Sequence, residues 1–163
     1  MPDIVCHFVD VHIFRRRRRG AETDEEWLVL KRAPHIRLAG TWQMVSGTIE
    51  PGEKAYETAA RELLEETGLR PKHLYQASFV NRFYLAATDQ VVLTPVFAVE
   101  ADADAQVNLS DEHTDYAWVT HQEAVRRYPW PGQREALRII REQFVTGTPR
   151  PESCLDELLG SNG

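Results

Sequence analysis

The spacing of hydrophobic and polar positions changes several times along the chain, and each change predicts an element. Residues 4–14, IVCHFVDVHIF, are β-branched and aromatic and predict a strand, with His7 and His12 on opposite faces by parity. Residues 27–32, WLVLKR, predict its partner, and residues 41–46, TWQMVS, a short strand running into Gly47. The period then lengthens. Ala55, Tyr56, Ala59, Ala60, Leu63 and Leu64 fall on one helical face. A Pro51-Gly52 turn precedes them, and Gly68 stands where a helix-ending glycine belongs. Pro71 blocks any extension.

Period-two patterning returns at 74–85 and 91–100, two strands joined by a loop over 86–90. The polar stretch 101–111 predicts a loop. A short strand follows over 115–120, with Tyr116, Trp118 and Thr120 on one face and Ala117 and Val119 on the other. Residues 121–128 begin a helix that Pro129 stops, and Ala136, Leu137, Ile140 and Phe144 mark another over 133–144. Residues 153–159 have the makings of one or two helical turns. Strands and helices mix without βαβ regularity, so the fold class is α+β, or mixed α/β. The expected organisation is one domain over 1–147 and a C-terminal tail over 148–163.

Composition adds little to that picture. The 163 residues are 42% apolar and 27% charged, ordinary for a soluble globular domain. A net charge of −6 gives no reason to expect a nucleic-acid-binding surface. Cys6 and Cys154 form neither a zinc spacing nor a disulfide framework. No apolar run approaches the length of a membrane span, and no charged-then-apolar leader opens the chain. The expectation is a cytoplasmic protein with no membrane partner. One local anomaly is the run Arg15 to Arg19, followed by the acidic stretch at 22–26. It is read as a solvated loop neutralised by its own acidic half, or as an attractor for a polyphosphate.

The carboxylates of the first helix carry the chemistry. At about 100° per residue, Glu62, Glu65 and Glu66 share one sector. Like charges at such spacing cost about 0.2–0.5 kcal/mol per pair, and only Arg61 lies beside them. Such a face is either a solvated acidic surface or a cation site. Oxygen-only ligands select a hard ion, magnesium or manganese before zinc.

Gly47, five residues, Glu53, seven residues, Arg61-Glu62, an aliphatic, any residue, Glu65-Glu66, any residue, Gly68, an aliphatic: this pattern resembles the Nudix hydrolase signature with every fixed position filled. The resemblance implies a mixed sheet sandwiched between helices and hydrolysis of a phosphoanhydride bond in a magnesium-dependent reaction. It implies metal ligation by Glu62, Glu65 and Glu66, joined by the Gly47 carbonyl, with Glu53 and Arg61 supporting them. Asp111-Glu112-His113 before the 115–120 strand resembles a downstream site where a glutamate adds a ligand or base. Glu112 is placed there, with an exposed loop acid as the alternative. His113 is left between phosphate contact and strand capping. Arg32, ending its strand beside Lys31, is a candidate for substrate phosphates or a surface residue.

Trp42-Gln43-Met44-Val45-Ser46-Gly47, Glu112-His113 with Trp118, and Pro129-Trp130-Pro131 are similar to the subgroup that hydrolyses deoxyadenosine triphosphate and dihydroneopterin triphosphate. The expected partner is therefore a small nucleotide or pterin triphosphate, with Gln43, Arg32, His113, Arg82 and Trp130 as candidate substrate contacts. The stretch between Phe79 and Glu112 departs from that subgroup. There Asn81, Arg82 and Tyr84 are candidates to contact a ring, or ordinary strand residues. Trp130 is a site wall or core packing. The competing substrates are dinucleoside polyphosphates and ADP-ribose. The competing class is a nucleotide-sensing module without catalysis, which usually shows an eroded signature, whereas no glutamate is missing here.

Overall fold

The computed structural model describes residues 1–160. Its strands are β1 (Asp3–Val5), β2 (Phe8–Arg19), β3 (Glu22–Arg32), β4 (Trp42–Gln43), β5 (Val45–Thr48), β6 (His73–Leu85), β7 (Gln90–Ala101) and β8 (His113–Val119). Its helices are α1 (Ala55–Thr67), α2 (His121–Arg127), α3 (Pro131–Ile140), which continues as a π-turn over Arg141–Val145, and α4 (Asp156–Gly160). Pro131 supplies a helix-ready φ at the start of α3. Thr120 caps α2 by accepting from the Glu123 amide at 3.2 Å. Gly68 ends α1 at φ 70°, a left-handed conformation a glycine adopts without steric cost, and its amide donates to the Leu64 carbonyl at 2.8 Å.

The eight strands of the described residues join one mixed sheet. β7 is parallel to β1 and β2 and antiparallel to β6. β2 and β3 form a long antiparallel hairpin from Ile13↔Leu28 to Arg19↔Glu22. At the other end the two strands part. β2 pairs there with β5 through Phe8↔Thr48 to Val11↔Val45, and β3 pairs with β4 through Leu30↔Gln43. Residues 42–48 thus fill a fork between diverging strands. β8 covers the outer edge of β3.

Each face of the sheet has its own core. Val9, Val11 and Ile13 face α1 and bury against Ala59, Leu63, Val99 and Leu155. Phe14, Trp27, Val29 and Val96 face α2 and α3 and bury against Ala124, Tyr128, Leu137 and Phe144. Each such large side chain contributes about 1.5–3 kcal/mol of burial free energy. Leu155 joins the first core because the Leu155 amide donates to the Leu74 carbonyl at 2.8 Å and Cys154 bridges Tyr75. The segment 151–160 therefore lies against β6.

The arginine run departs from expectation. It is strand, not loop: Arg15 to Arg19 continue β2 opposite Glu26 to Glu22. Antiparallel register sets opposite charges side by side, and cross-strand pairs of that kind stabilise a ladder. Arg15 is buried, bonds Glu26 at 2.6 Å, and lies 4.0 Å over the Trp118 ring. Arg16 reaches across to Glu100 at 2.6 Å and to the Phe144 carbonyl at 2.7 Å. The strand that contains His12 also begins later than expected, at Phe8, leaving His7 outside it. His12 is buried against Tyr128, and desolvation depresses its pKa to about 3, so it stays neutral.

Candidate active site

The fork brings the sequence-predicted residues to one place. Gly47 on β5 lies so close to α1 that a Cβ there would overlap the Glu62 carboxyl. The missing side chain is what lets that acid lie against the strand. Glu66, one turn on, is buried at 3% exposure. It receives a hydrogen bond from the Ser46 backbone, yet its Oε2 has no partner. Burial first, then repulsion from Glu62 and Glu112, pushes the Glu66 pKa up to about 9. Desolvation raises Glu62 as well.

Arg61 holds the outer half of this group. Its Nε and Nη2 clamp Glu53 at 2.8 and 3.0 Å, Nη1 donates to Glu62 at 2.7 Å and Glu65 at 3.2 Å, and Nη2 also reaches the Thr48 carbonyl at 3.0 Å. The bidentate pair, with a 2.6 Å bond from Thr58, depresses the Glu53 pKa to about 2. Glu53 is thus an anion that fixes the guanidinium, and the guanidinium fixes two further acids.

A second polar chain faces Glu66. Arg32 Nη1 donates to Gln43 Oε1 at 2.9 Å, and Gln43 Nε2 contacts His113 Nε2 at 3.2 Å. His113 Nε2 lies 3.8 Å from Glu66 Oε2. Burial and the nearby Arg32 charge depress the His113 pKa to about 4, so the ring is neutral and accepts from Gln43 at Nε2. The β3–β8 register shifts between Lys31 and Arg32, whose partners are Asp115 and His113, so Thr114 of β8 is the extra residue beside His113. Among the described residues, His113 Nδ1, Ser110 Oγ and Glu66 Oε2 are all buried without partners. Ser110 was missed in the sequence, although its amide donates to the Glu66 carbonyl at 3.2 Å.

The remaining candidates spread out. Glu65 is exposed and turned toward Arg61. Glu112 is an exposed residue whose charge reaches Glu62 and Glu66, while its carbonyl accepts from Ala33 at 2.8 Å. The acids are near one another but not converged: among the described residues no three acid, histidine or cysteine side chains form a ready cation cage. Helical spacing put three carboxylates in one sector, and Arg61 draws two of them to itself. Trp130 is neither core nor buried wall, being 51% exposed at the start of α3. Arg82 is exposed on β6, and strand alternation sends it to the face opposite Asn81.

The match that decides the family spans most of the chain: the NUDIX domain model matches residues 7–142. The chain belongs to the Nudix family. It is 37% identical over 122 residues to an octanoyltransferase of Myxococcus xanthus, covering 74% of this chain and a third (33%) of that protein. It is 30% identical over 141 residues to the asymmetrical bis(5'-nucleosyl)-tetraphosphatase of Rattus norvegicus, covering 84% of this chain and 93% of the relative. Among solved structures it resembles a MutT protein from Methanosarcina mazei Go1, at 29% identity and a TM-score of 0.66 over 86% of this chain and 96% of that one. The Nudix fold, a mixed sheet with helices on both faces, is confirmed, and the chain is a hydrolase of the pyrophosphohydrolase type. The narrower likeness to the dATP and dihydroneopterin triphosphate subgroup is not among these matches. No helix of the described residues is long and apolar enough to cross a membrane.

Proposed function

We propose that this Nudix hydrolase is a magnesium-dependent pyrophosphohydrolase that cuts a nucleoside or pterin triphosphate into monophosphate and pyrophosphate. One observation carries the reading. Glu66 is a buried acid with an unpartnered oxygen, beside Glu62 and within reach of the Glu112 charge. Burial of that kind costs free energy unless a cation or proton answers it.

The residues present fit a hard divalent ion. The donors are oxygens, Glu66 has an orphaned one, and the bare Gly47 leaves room for the Glu62 carboxylate. Glu62, Glu65, Glu66, Glu112 and the Gly47 carbonyl would hold magnesium, or manganese. When bound, the ion lowers the pKa of a water and neutralises phosphate charge. Glu53 and Arg61 fix the rotamers of the acids around them. Arg32, carried by Gln43 and faced by His113, offers a positive edge to the substrate phosphates. Trp130 is assigned to the outer part of the substrate site, on the Asn81 face of the sheet, and Arg82, on the opposite face, is not.

A second reading is a dinucleoside polyphosphate, favoured by similarity to the rat tetraphosphatase along 93% of its length. Product analysis separates the two. The purified chain with magnesium is assayed on dATP, dihydroneopterin triphosphate and diadenosine tetraphosphate. Pyrophosphate and a monophosphate from the triphosphates support the first reading. A nucleoside triphosphate released only from the tetraphosphate supports the second. Tight binding with no turnover in magnesium or manganese rejects both in favour of a sensing module.

A further inference from the structure

The face of the sheet toward α3 ends in an uncovered shelf that the phosphate chemistry does not use. Phe8 and Asp10 share this face on β2, because residues two apart along a strand point the same way. Asn81 and Phe83 share it on β6, opposite Thr94 and Val92 of β7. β7 lies between the two strands, so the shelf is about 10 Å across. Phe8 and Phe83 are exposed at 38% and 46%, whereas Asp10 is buried at 5%. At the inner end Asn81 Nδ2 donates to Asp10 Oδ2 at 3.3 Å. The start of α3 closes on them: a Cβ on Gly132 would overlap the Asn81 amide, and the exposed Trp130 stands two residues before it.

Asp10 is an acid in an apolar strand with more acceptor capacity than donors. A carboxylate offers about four acceptor positions. Asn81 and the Ser46 side chain are the donors given to it, and they do not outweigh desolvation, which raises its pKa to about 6. An N–H donor arriving from outside would supply what the fold does not. Rings on either side of such a group favour a flat ligand.

We propose that Asp10, held by Asn81 at the inner end of the Phe8–Phe83 shelf, accepts from the exocyclic amine of a substrate's ring and so selects amino-substituted bases. This rests on the pyrophosphohydrolase reading for the identity of the ligand as a nucleotide. The shelf joins the phosphate site through β5, where Ser46 faces Asp10 while the next residue, Gly47, abuts Glu62.

Binding of AMP and IMP to the metal-free protein tests it without turnover, since the two differ by an amine against a carbonyl. The unaltered protein is expected to bind AMP at least fivefold more tightly than IMP. Asp10→Asn should bring that ratio below twofold, and Phe83→Ala should weaken both nucleotides alike. Should Asp10→Asn fail to fold by circular dichroism, Asn81→Ala replaces it, with the same narrowing expected. Equal binding by the unaltered protein, or a ratio unmoved in the variant that folds, overturns the proposal. Preference for AMP without hydrolysis of any nucleotide in magnesium would leave it standing and reject the pyrophosphohydrolase reading instead.

Discussion

Two regions of this molecule are crowded with charge, and they handle it in opposite ways. In the hairpin, Arg15 to Arg19 face Glu26 to Glu22 across an antiparallel ladder, and Arg15, Arg16 and Arg19 have carboxylate partners. Along α1, acids of one sign gather around a single guanidinium, and the most buried of them, Glu66, keeps an oxygen without a partner. The first arrangement is complete as folded. The second keeps a buried acid that a proton, or a cation from solvent, would answer. Charge density alone does not mark a site; a buried acid with an oxygen left unpaired beside other acids is a candidate for one.

Glu66→Gln gives the largest expected effect. It should lower the rate of phosphoanhydride cleavage roughly 10²-fold or more, the scale of losing a group that holds metal or moves a proton. The same variant should be more stable. The Glu66 pKa is about 9 in the fold against an ordinary 4.5, so the unfolded chain holds fewer protons over that range. Metal-free stability therefore falls as pH rises from about 4.5 towards 9. Removing the titration should flatten that slope and raise the melting temperature at pH 7 by roughly 2–6 °C. A melting temperature that drops instead would put Glu66 on the same footing as the hairpin charges.

Next in size, Arg61→Lys keeps the charge and loses the fork that spans Glu53, Glu62 and Glu65. A 10- to 100-fold loss in kcat is expected, the usual scale for residues that orient metal-holding groups. Gly47→Ala should give a loss of similar size by displacing the Glu62 carboxyl. Rates within twofold of the unaltered protein would show that neither contact is needed.

Arg15→Ala breaks a buried pair and should cost on the order of 3 kcal/mol in denaturant unfolding, with kcat of the folded protein within about threefold. The smallest effect belongs to Arg17→Gln with Arg18→Gln, both exposed. Stability should move by less than about 0.5 kcal/mol, and KM for a triphosphate should not change. A several-fold rise in KM would give the arginine run the role of substrate attractor and erase the contrast between the two regions.

Much of this was readable in the sequence because it is local. The α1 face, the left-handed stop at Gly68 and the alternation of β6, β7 and β8 all depend on residues a few positions apart. Gly47, Glu53 and Arg61 were legible through a signature whose spacing encodes one strand–turn–helix unit. What failed was non-local. Nothing in a run of five arginines says strand until an acidic run pairs with it in register. Sector geometry could not show that Arg61 would pull Glu62 and Glu65 together while Glu66 turned inward. Ser110 gave no signal, since its place beside Glu66 is set by the loop path. Asp10 gave one: a lone acid inside an otherwise apolar strand requires donors from elsewhere in the fold.

The clasp of residues 151–160 on β6 has a practical use. Cys154 meets that strand at Tyr75, eight residues before Phe83. The bulge between Gln76 and Val80 sets that stretch alongside six residues of β7, Ala98 to Val92, which at about 3.3 Å per residue is roughly 20 Å. A dye or tether fixed near residue 160 therefore leaves the far end of β6 clear, and the protein can be held on a sensor surface with its aromatic shelf open to solution.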